Sequence, residues 1–308
     1  MKRRLFWLLL GLLAVLVACM ALGLGPFGRL GTSPAPAGKV RVTASFYTMA
    51  EFARQVGGDR VDVTTMIPAG VEPHEFLPTT QDIAGAYKSQ VFVYNGAGLE
   101  PWADKISGDL GAGGVVVVNA SDGIDLMAGE GSAYDPHVWL DPVLAQREVD
   151  NIRDGLIRAD PKDRSVYEQN AAAYNQKLAA LDGAFRSGLA SCARRDIVTS
   201  HQAFTYLGKR YGLDVMAISG LSPDEEPPPQ KLAEVAQFAR QHNIHYIFFE
   251  RLVNPKLSQT IATEVGAQTL VFDPLEGLTQ QEAGRGEDYL SVQRENLANL
   301  RRAMECGS

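Results

Sequence analysis

Short apolar runs alternate along most of this chain with segments whose apolar positions recur every three or four residues. The first pattern fits a strand covered on both faces, and the second an amphipathic helix. Val40 to Phe46 is predicted as a strand and Tyr47 to Val56 as a helix stopped by Gly57-Gly58. Val61 to Ile67 is a second strand, closed by Pro68-Ala69-Gly70-Val71-Glu72-Pro73-His74. Thr79 opens a helix to about Lys88, with Asp82 in the capping-box position. Val91 to Tyr94 and Val115 to Val118 are short buried strands, joined by a segment through Asn95-Gly96-Ala97-Gly98 and Trp102.

From Pro142 the period becomes helical. Pro142 to Ala159 is one helix, and Asp160 as N-cap with Pro161 at the first helical position opens another that runs to about Leu189. At 1.5 Å per residue it would be roughly 45 Å long, more than one small lobe requires, so it reads as a rigid connector. Beyond it, strands at Asp196 to Ser200, Leu213 to Ile218, Ile244 to Phe249 and Leu270 to Phe272 alternate with helices at Ala203 to Tyr211, Pro228 to His242 and Pro255 to Val265. A terminal helix starts near Asp288. The predicted fold class is α/β, with two lobes, each a parallel four-stranded sheet flanked by helices, joined by one long connecting helix. The expected boundaries are 39–160, 161–190 and 191–308.

The first residues stand outside this scheme. Lys2, Arg3 and Arg4 precede an apolar run from Leu5 to Val17, and Leu16-Val17-Ala18-Cys19 ends it. This has the layout of a secretory leader and resembles a bacterial lipobox, which makes 1–19 a signal peptide and Cys19 a lipidated first residue. The competing reading is an uncleaved anchor, since Met20 to Leu24 prolongs the apolar run. Residues 20–38, rich in Gly, Pro and Ala, read as a flexible tether. Both readings place the folded part outside the cytoplasm, as a membrane-anchored lipoprotein at the cell surface or in the periplasm. In that setting Cys192 and Cys306 are either one disulfide or two buried thiols. With 308 residues, 45% hydrophobic and 21% charged, the chain is globular, and its net charge of −7 argues against nucleic acid as a partner.

Ligands of open parallel sheets collect beyond the carboxyl ends of the strands. His74, His137, His201 and Asp273 each lie just after a predicted strand, two in each half of the chain. His137 sits between two Asp-Pro turns, in Asp135-Pro136-His137-Val138-Trp139-Leu140-Asp141-Pro142, on a backbone that the prolines stiffen. Three imidazoles and one carboxylate form a four-coordinate set suited to Zn2+. Glu250, also after a strand, is a candidate for holding a ligand or closing the cleft, against an ordinary surface ion pair. His242 and His245 flank a helix end and read as surface residues.

Five segments carry a resemblance: Ile67 to Phe76, Asn95 to Trp102, Asp135 to Pro142, Ser200-His201-Gln202-Ala203-Phe204 and Phe272-Asp273-Pro274-Leu275-Glu276. Together they resemble the signature segments of the cluster A-I (cluster 9) solute-binding proteins, the zinc and manganese receptors of bacterial ABC importers. The resemblance runs from about Val40 to the C-terminus and implies two α/β lobes on one long helix. It implies metal ligands at His74, His137, His201 and Asp273, an ABC permease as partner, and a monomer without enzymatic activity. Manganese or iron receptors of this type often carry Glu where His201 stands, so histidine there points to zinc, with Mn2+ as the alternative cargo. Two departures are visible: Ser121 to Tyr134 lacks the histidine-rich loop of many zinc receptors, and Pro228 stands where relatives usually carry Ser. The rival classes are a zinc metallohydrolase with Glu250 as base, which would require an open coordination position, and a surface adhesin.

Overall fold

The structure, a computed structural model, describes residues 38–129 and 133–307. The expected leader 1–19 with Cys19, and the tether as far as residue 37, lie outside the described residues. In the first half, β1 (Val40–Ala44), β2 (Val61–Thr65), β3 (Val91–Tyr94) and β4 (Val116–Asn119) form a wholly parallel sheet in the order β2-β1-β3-β4. Val42 is in register with Val63 on one side and Val91 on the other, so β1 is central. Helices α1 (Tyr47–Gly57), α2 (Thr80–Lys88) and α3 (Pro101–Ala112) supply the crossovers. Thr79 and Asp82 cap α2 reciprocally, as their spacing predicts. Helix α3 occupies the segment that reads as a connection: with only Ala103 and Leu110 buried, its apolar stripe is too thin to register as a period.

Helix α4 (Pro142–Ala159) starts at the N-cap Asp141, whose side chain accepts from Val143 N. A single tight turn over Pro161–Asp163 then leads into α5 (Arg164–Gly188), the long helix that links the two sheets. Its buried residues, Tyr167, Ala171, Tyr174, Leu178, Leu181 and Phe185, follow helical spacing along its whole length, so the connector is also packed lengthwise. The second sheet repeats the first: β5 (Asp196–Thr199), β6 (Asp214–Ala217), β7 (Tyr246–Phe249) and β8 (Gln268–Val271) run parallel in the order β6-β5-β7-β8. Between them lie α6 (Thr205–Tyr211), α7 (Pro229–Gln241) and α8 (Lys256–Val265). Gly212 and Gly266 end α6 and α8 in the left-handed conformation that glycine adopts without strain. A six-residue helix α9 (Gln280–Arg285), too short to show a period, precedes α10 (Tyr289–Ala303).

The largest apolar core passes through both halves, from Val42 and Phe52 through Trp139 and Phe185 to Phe272 and Tyr289. Polar bonds cross with it. Trp139 Nε1 donates to Pro274 O at 2.7 Å, Tyr289 Oη to Trp139 O at 2.5 Å, Thr48 Oγ1 to Leu275 O at 2.5 Å, and Tyr206 Oη to Asp135 O at 2.9 Å. Arg210 pairs with Asp141. Each bond is buried or half-buried, so breaking one would leave a desolvated group unsatisfied, at a cost of about 1–3 kcal/mol.

Cys192 and Cys306 are joined in a disulfide, 114 residues apart, tying the strand segment after α5 to the end of α10. Of the two readings of this pair, the structure takes the disulfide. Closing so long a loop restricts the unfolded chain most strongly. Replacing both cysteines by serine is expected to lower the unfolding free energy by about 2–4 kcal/mol, read from the denaturant midpoint of the oxidised protein against the double variant.

Candidate metal centre

His137 is carried by the loop between β4 and α4 and is completely buried. Two bonds to one carboxylate fix it: Asp135 Oδ1 accepts from His137 N at 3.0 Å and from Nδ1 at 2.8 Å. The loop rests on the turn that follows β3, the strand next to β4. Asn95-Gly96-Ala97-Gly98 turns back with three positive φ angles, of which Gly96 is forced, because a Cβ there would overlap the Asn119 side chain. Glu100 ties that turn by accepting from Asn95 N, Gly96 N and Ser45 Oγ, and Asn95 Nδ2 then donates to Pro136 O at 3.0 Å. The Asn-Gly-Ala-Gly-Leu-Glu segment thus scaffolds His137.

His201 follows β5, the central strand of the second sheet, and is also completely buried. Glu250, at the end of β7, accepts from its Nδ1 at 2.6 Å and from Ser200 Oγ. With Nδ1 of both rings donating to carboxylates, Nε2 of His137 and of His201 is left with a lone pair for a ligand. His74 lies in the turn after β2 and is the partly exposed member of the three, its side chain 10% accessible.

The three Nε2 atoms converge on one oxygen. Glu276 Oε1 lies 3.1 Å from His74 Nε2, 3.3 Å from His137 Nε2 and 3.4 Å from His201 Nε2. The nitrogens are equally close: His137 Nε2 is 3.3 Å from both His74 Nε2 and His201 Nε2. For zinc–nitrogen bonds of about 2.0–2.1 Å a regular tetrahedron has edges of about 3.3 Å. Five of the six separations among the four donor atoms are at that spacing, and all four atoms lie within 4.8 Å of one another. Among the described residues, His74, His137, His201 and Glu276 are the group able to hold a metal ion, and they lie between the two lobes.

Asp273 does not join them; the carboxylate that meets the imidazoles is that of Glu276. Asp273 is buried, but its oxygens are engaged elsewhere: Oδ1 accepts from Leu275 N at 2.8 Å and Oδ2 from Arg251 Nη1 at 3.2 Å. Its backbone is clamped by Asn296 at 2.9 and 2.7 Å. Leu275 takes φ 57°, a left-handed conformation costing a branched residue about 1–2 kcal/mol, and this reversal turns Glu276 back toward the imidazoles. Asp273 builds the turn that aims Glu276. The hint in the sequence was the Asp-x-Leu spacing, since an aspartate commonly bonds the backbone two residues on.

The electrostatics follow the partners. Burial lowers the His74 imidazole below its ordinary value. Burial acts the same way on His137 and His201, but is overcome: hydrogen bonds to Asp135 and Glu276 raise His137, and the charges of Glu250 and Glu276 hold His201 well above normal. Burial would raise Glu276, yet His201 and His74 keep it well below the usual carboxylate range. Glu72, two residues before His74, is pushed up to about 9 by burial and then by Glu276. Burial also takes Asp273 up to about 7 despite Arg251. His242 and His245 face Asp196 and Glu305 at 2.8 and 3.0 Å on the surface, remote from the cluster.

Comparison with known proteins agrees with this site. The profile of the family described as ZnuA, zinc-uptake complex component A periplasmic, matches residues 42–303. The high-affinity zinc uptake system protein ZnuA of Bacillus subtilis (strain 168) is 39% identical over 305 residues, 94% of this chain and 96% of that protein. The zinc-binding lipoprotein AdcA of Streptococcus pneumoniae is 39% identical over 282 residues, covering 87% of this chain, which spans 56% of that longer protein. The crystal structure of the Zn(II)-bound ZnuA-like domain of S. pneumoniae AdcA has a TM-score of 0.78 at 40% identity, covering 87% of this chain and 100% of that domain. Proteins of this group are extracytoplasmic solute-binding components of transport systems and are not enzymes. The chain belongs to the ZnuA/AdcA family of zinc-binding, ABC-transporter solute-binding lipoproteins.

Proposed function

We propose that this protein captures Zn2+ with His74, His137, His201 and Glu276 and hands it to an ABC permease in the membrane, acting as a monomer tethered through Cys19. The observation that carries this reading is the convergence of three imidazole nitrogens on one carboxylate oxygen at 3.1–3.4 Å, with His137 Nε2 3.3 Å from each of the other two nitrogens. Three imidazoles favour a borderline-soft ion over hard Mn2+, so manganese is the weaker cargo. Glu250 and Asp135 fix the ring tautomers and raise ligand basicity. The lobes 39–160 and 191–308, with connector 161–190, each contribute two of the four donors. Because bonds through Trp139, Tyr289 and Arg210 already cross between the halves, the cleft is set before the ion arrives, and metal binding orders loops without wide closure.

Titrating the soluble part, from Lys39 onward, with Zn2+ and Mn2+ against a chelating indicator is expected to give one equivalent of tightly held zinc that excess manganese does not displace. Retention of manganese in preference to zinc would overturn the assignment of the cargo.

Two acids three residues apart separate the alternatives for the fourth ligand. Glu276→Gln is expected to weaken zinc binding more than the 10–100-fold typical of losing an outer partner, whereas Asp273→Asn, which can still accept from Leu275 N, should stay within about tenfold of the parent. Equal losses in the two variants would restore Asp273 as a ligand.

Protons compete with zinc for the same lone pairs. With His137 and His201 raised above the ordinary imidazole value of about 6.5, protonation of the free site begins at higher pH than for an isolated histidine. Affinity is expected to fall as pH is lowered, with an onset above that of an isolated histidine. Zinc affinities measured in buffered series between about pH 8 and pH 5 check the sign and the onset.

A further inference from the structure

One carboxyl group beside the cluster has no task in it. The turn Gly70-Val71-Glu72-Pro73-His74 is pinned to the turn that carries Glu276: Gly70 N donates to Leu278 O at 2.9 Å. Val71 O lies so close to Gly277 that a Cβ there would stand 3.6 Å away. Glu72 is therefore held beside both His74 and the Glu276 turn. Its Oε2 accepts from His74 N at 2.9 Å, while its Oε1 is buried without any partner. Leaving such an atom unsatisfied is unfavourable, and a cation at the cluster would offset it. Asp135 Oδ2 is also unpartnered, but Asp135 is completely buried on the Nδ1 side of His137, facing away from the converging nitrogens. Glu72 follows the turn on the side of His74, the imidazole that reaches solvent.

We propose that Glu72 is a transfer ligand: its unpartnered oxygen, sheltered beside His74, takes the zinc ion on the His74 side of the cluster and exchanges it with Glu276 during capture and release. The step is ligand exchange alone. The Glu72 oxygen replaces a water on the incoming ion, the water returns to solvent, and any proton on the carboxyl group leaves with it. Zinc tolerates a fifth ligand transiently, so the ion passes from hydrated to fully protein-bound without shedding its whole shell at once. The four cluster donors are enough for equilibrium affinity; Glu72 governs rates. This inference rests on the reading of the cluster as a zinc-capture site.

Stopped-flow capture of Zn2+, and its release to a fluorescent chelator in excess, test it on the folded soluble part. Glu72→Gln is expected to slow capture and release together by about tenfold, equivalent to about 1.4 kcal/mol in each barrier, with the dissociation constant within about threefold of the parent. Glu75→Gln, which removes an exposed charge from the same turn, should leave both rates within about twofold. Unchanged rates in Glu72→Gln, or an equal slowing of capture in Glu75→Gln, would overturn the proposal. So would a loss of affinity in Glu72→Gln as large as that in Glu276→Gln, which would make Glu72 a permanent ligand. If the parent itself captured no zinc, the failure would belong to the underlying reading.

Discussion

Three imidazole nitrogens, each presenting a lone pair to the same point, repel one another unless a cation or a proton stands between them. Much of this structure serves to hold them there, with His137 Nε2 3.3 Å from each of the other two. Two rings are locked from behind by carboxylates, so that neither can rotate or change tautomer to relieve the repulsion. Those carboxylates are themselves positioned: Glu250 by Ser200, Asp135 by the backbone of the residue it serves. Rigidity in the outer partners is what keeps the inner atoms in an arrangement that a metal ion or a proton makes favourable.

The same demand explains why the two halves are stitched together. The donors come from four loops at the carboxyl ends of two separate sheets, and a relative shift of one ångström between sheets would destroy the equal spacing. Trp139 prevents it by lying in the loop of His137 while donating to Pro274, next to the turn of Glu276, and Tyr289 then bonds to the Trp139 carbonyl. The indole packs edge-on against Phe46, 5.1 Å between centroids, within the core common to both halves. A site fixed in advance spends little free energy on ordering when the ion binds, so more of the coordination energy appears as affinity.

Much of this was legible in the sequence because strand ends are legible. His74, His137 and His201 each follow an apolar run that ends abruptly, and the topology rule for parallel sheets then puts them in one crevice. The fourth donor was not, because Asp273 and Glu276 both follow β8 and the choice between them depends on a single left-handed residue, Leu275. A leucine gives no sign of a positive φ. Three of the four Asp-Pro pairs do share a role that could have been read: Asp135, Asp141 and Asp273 each accept from the backbone N–H two residues further on, at His137, Val143 and Leu275. An aspartate so placed shapes a turn and is less available to a metal. Helix α3 was hidden for a different reason, since glycines at 108 and 111 and a narrow buried stripe leave it almost without a period.

A preformed, four-donor site has a consequence for delivery. Tight coordination between halves that are bonded to each other cannot be undone by swinging the lobes apart without breaking the Trp139, Tyr289 and Arg210 ties together. The weaker wall is the stretch between β2 and α2, from Met66 to Thr79, which contains no helix or strand and carries His74. It meets the second half through the Gly70–Leu278 bond, the contact of Val71 with Gly277 and the approach of His74 to Glu276. Leu77, 81% exposed, and Val71, 37% exposed, lie on this same stretch, beside the exposed Glu75. Displacing this one segment withdraws one imidazole and leaves a three-donor site of lower affinity, while the core and the cross-lobe bonds stay whole. Release through a single loop therefore requires far less free energy than opening the cleft.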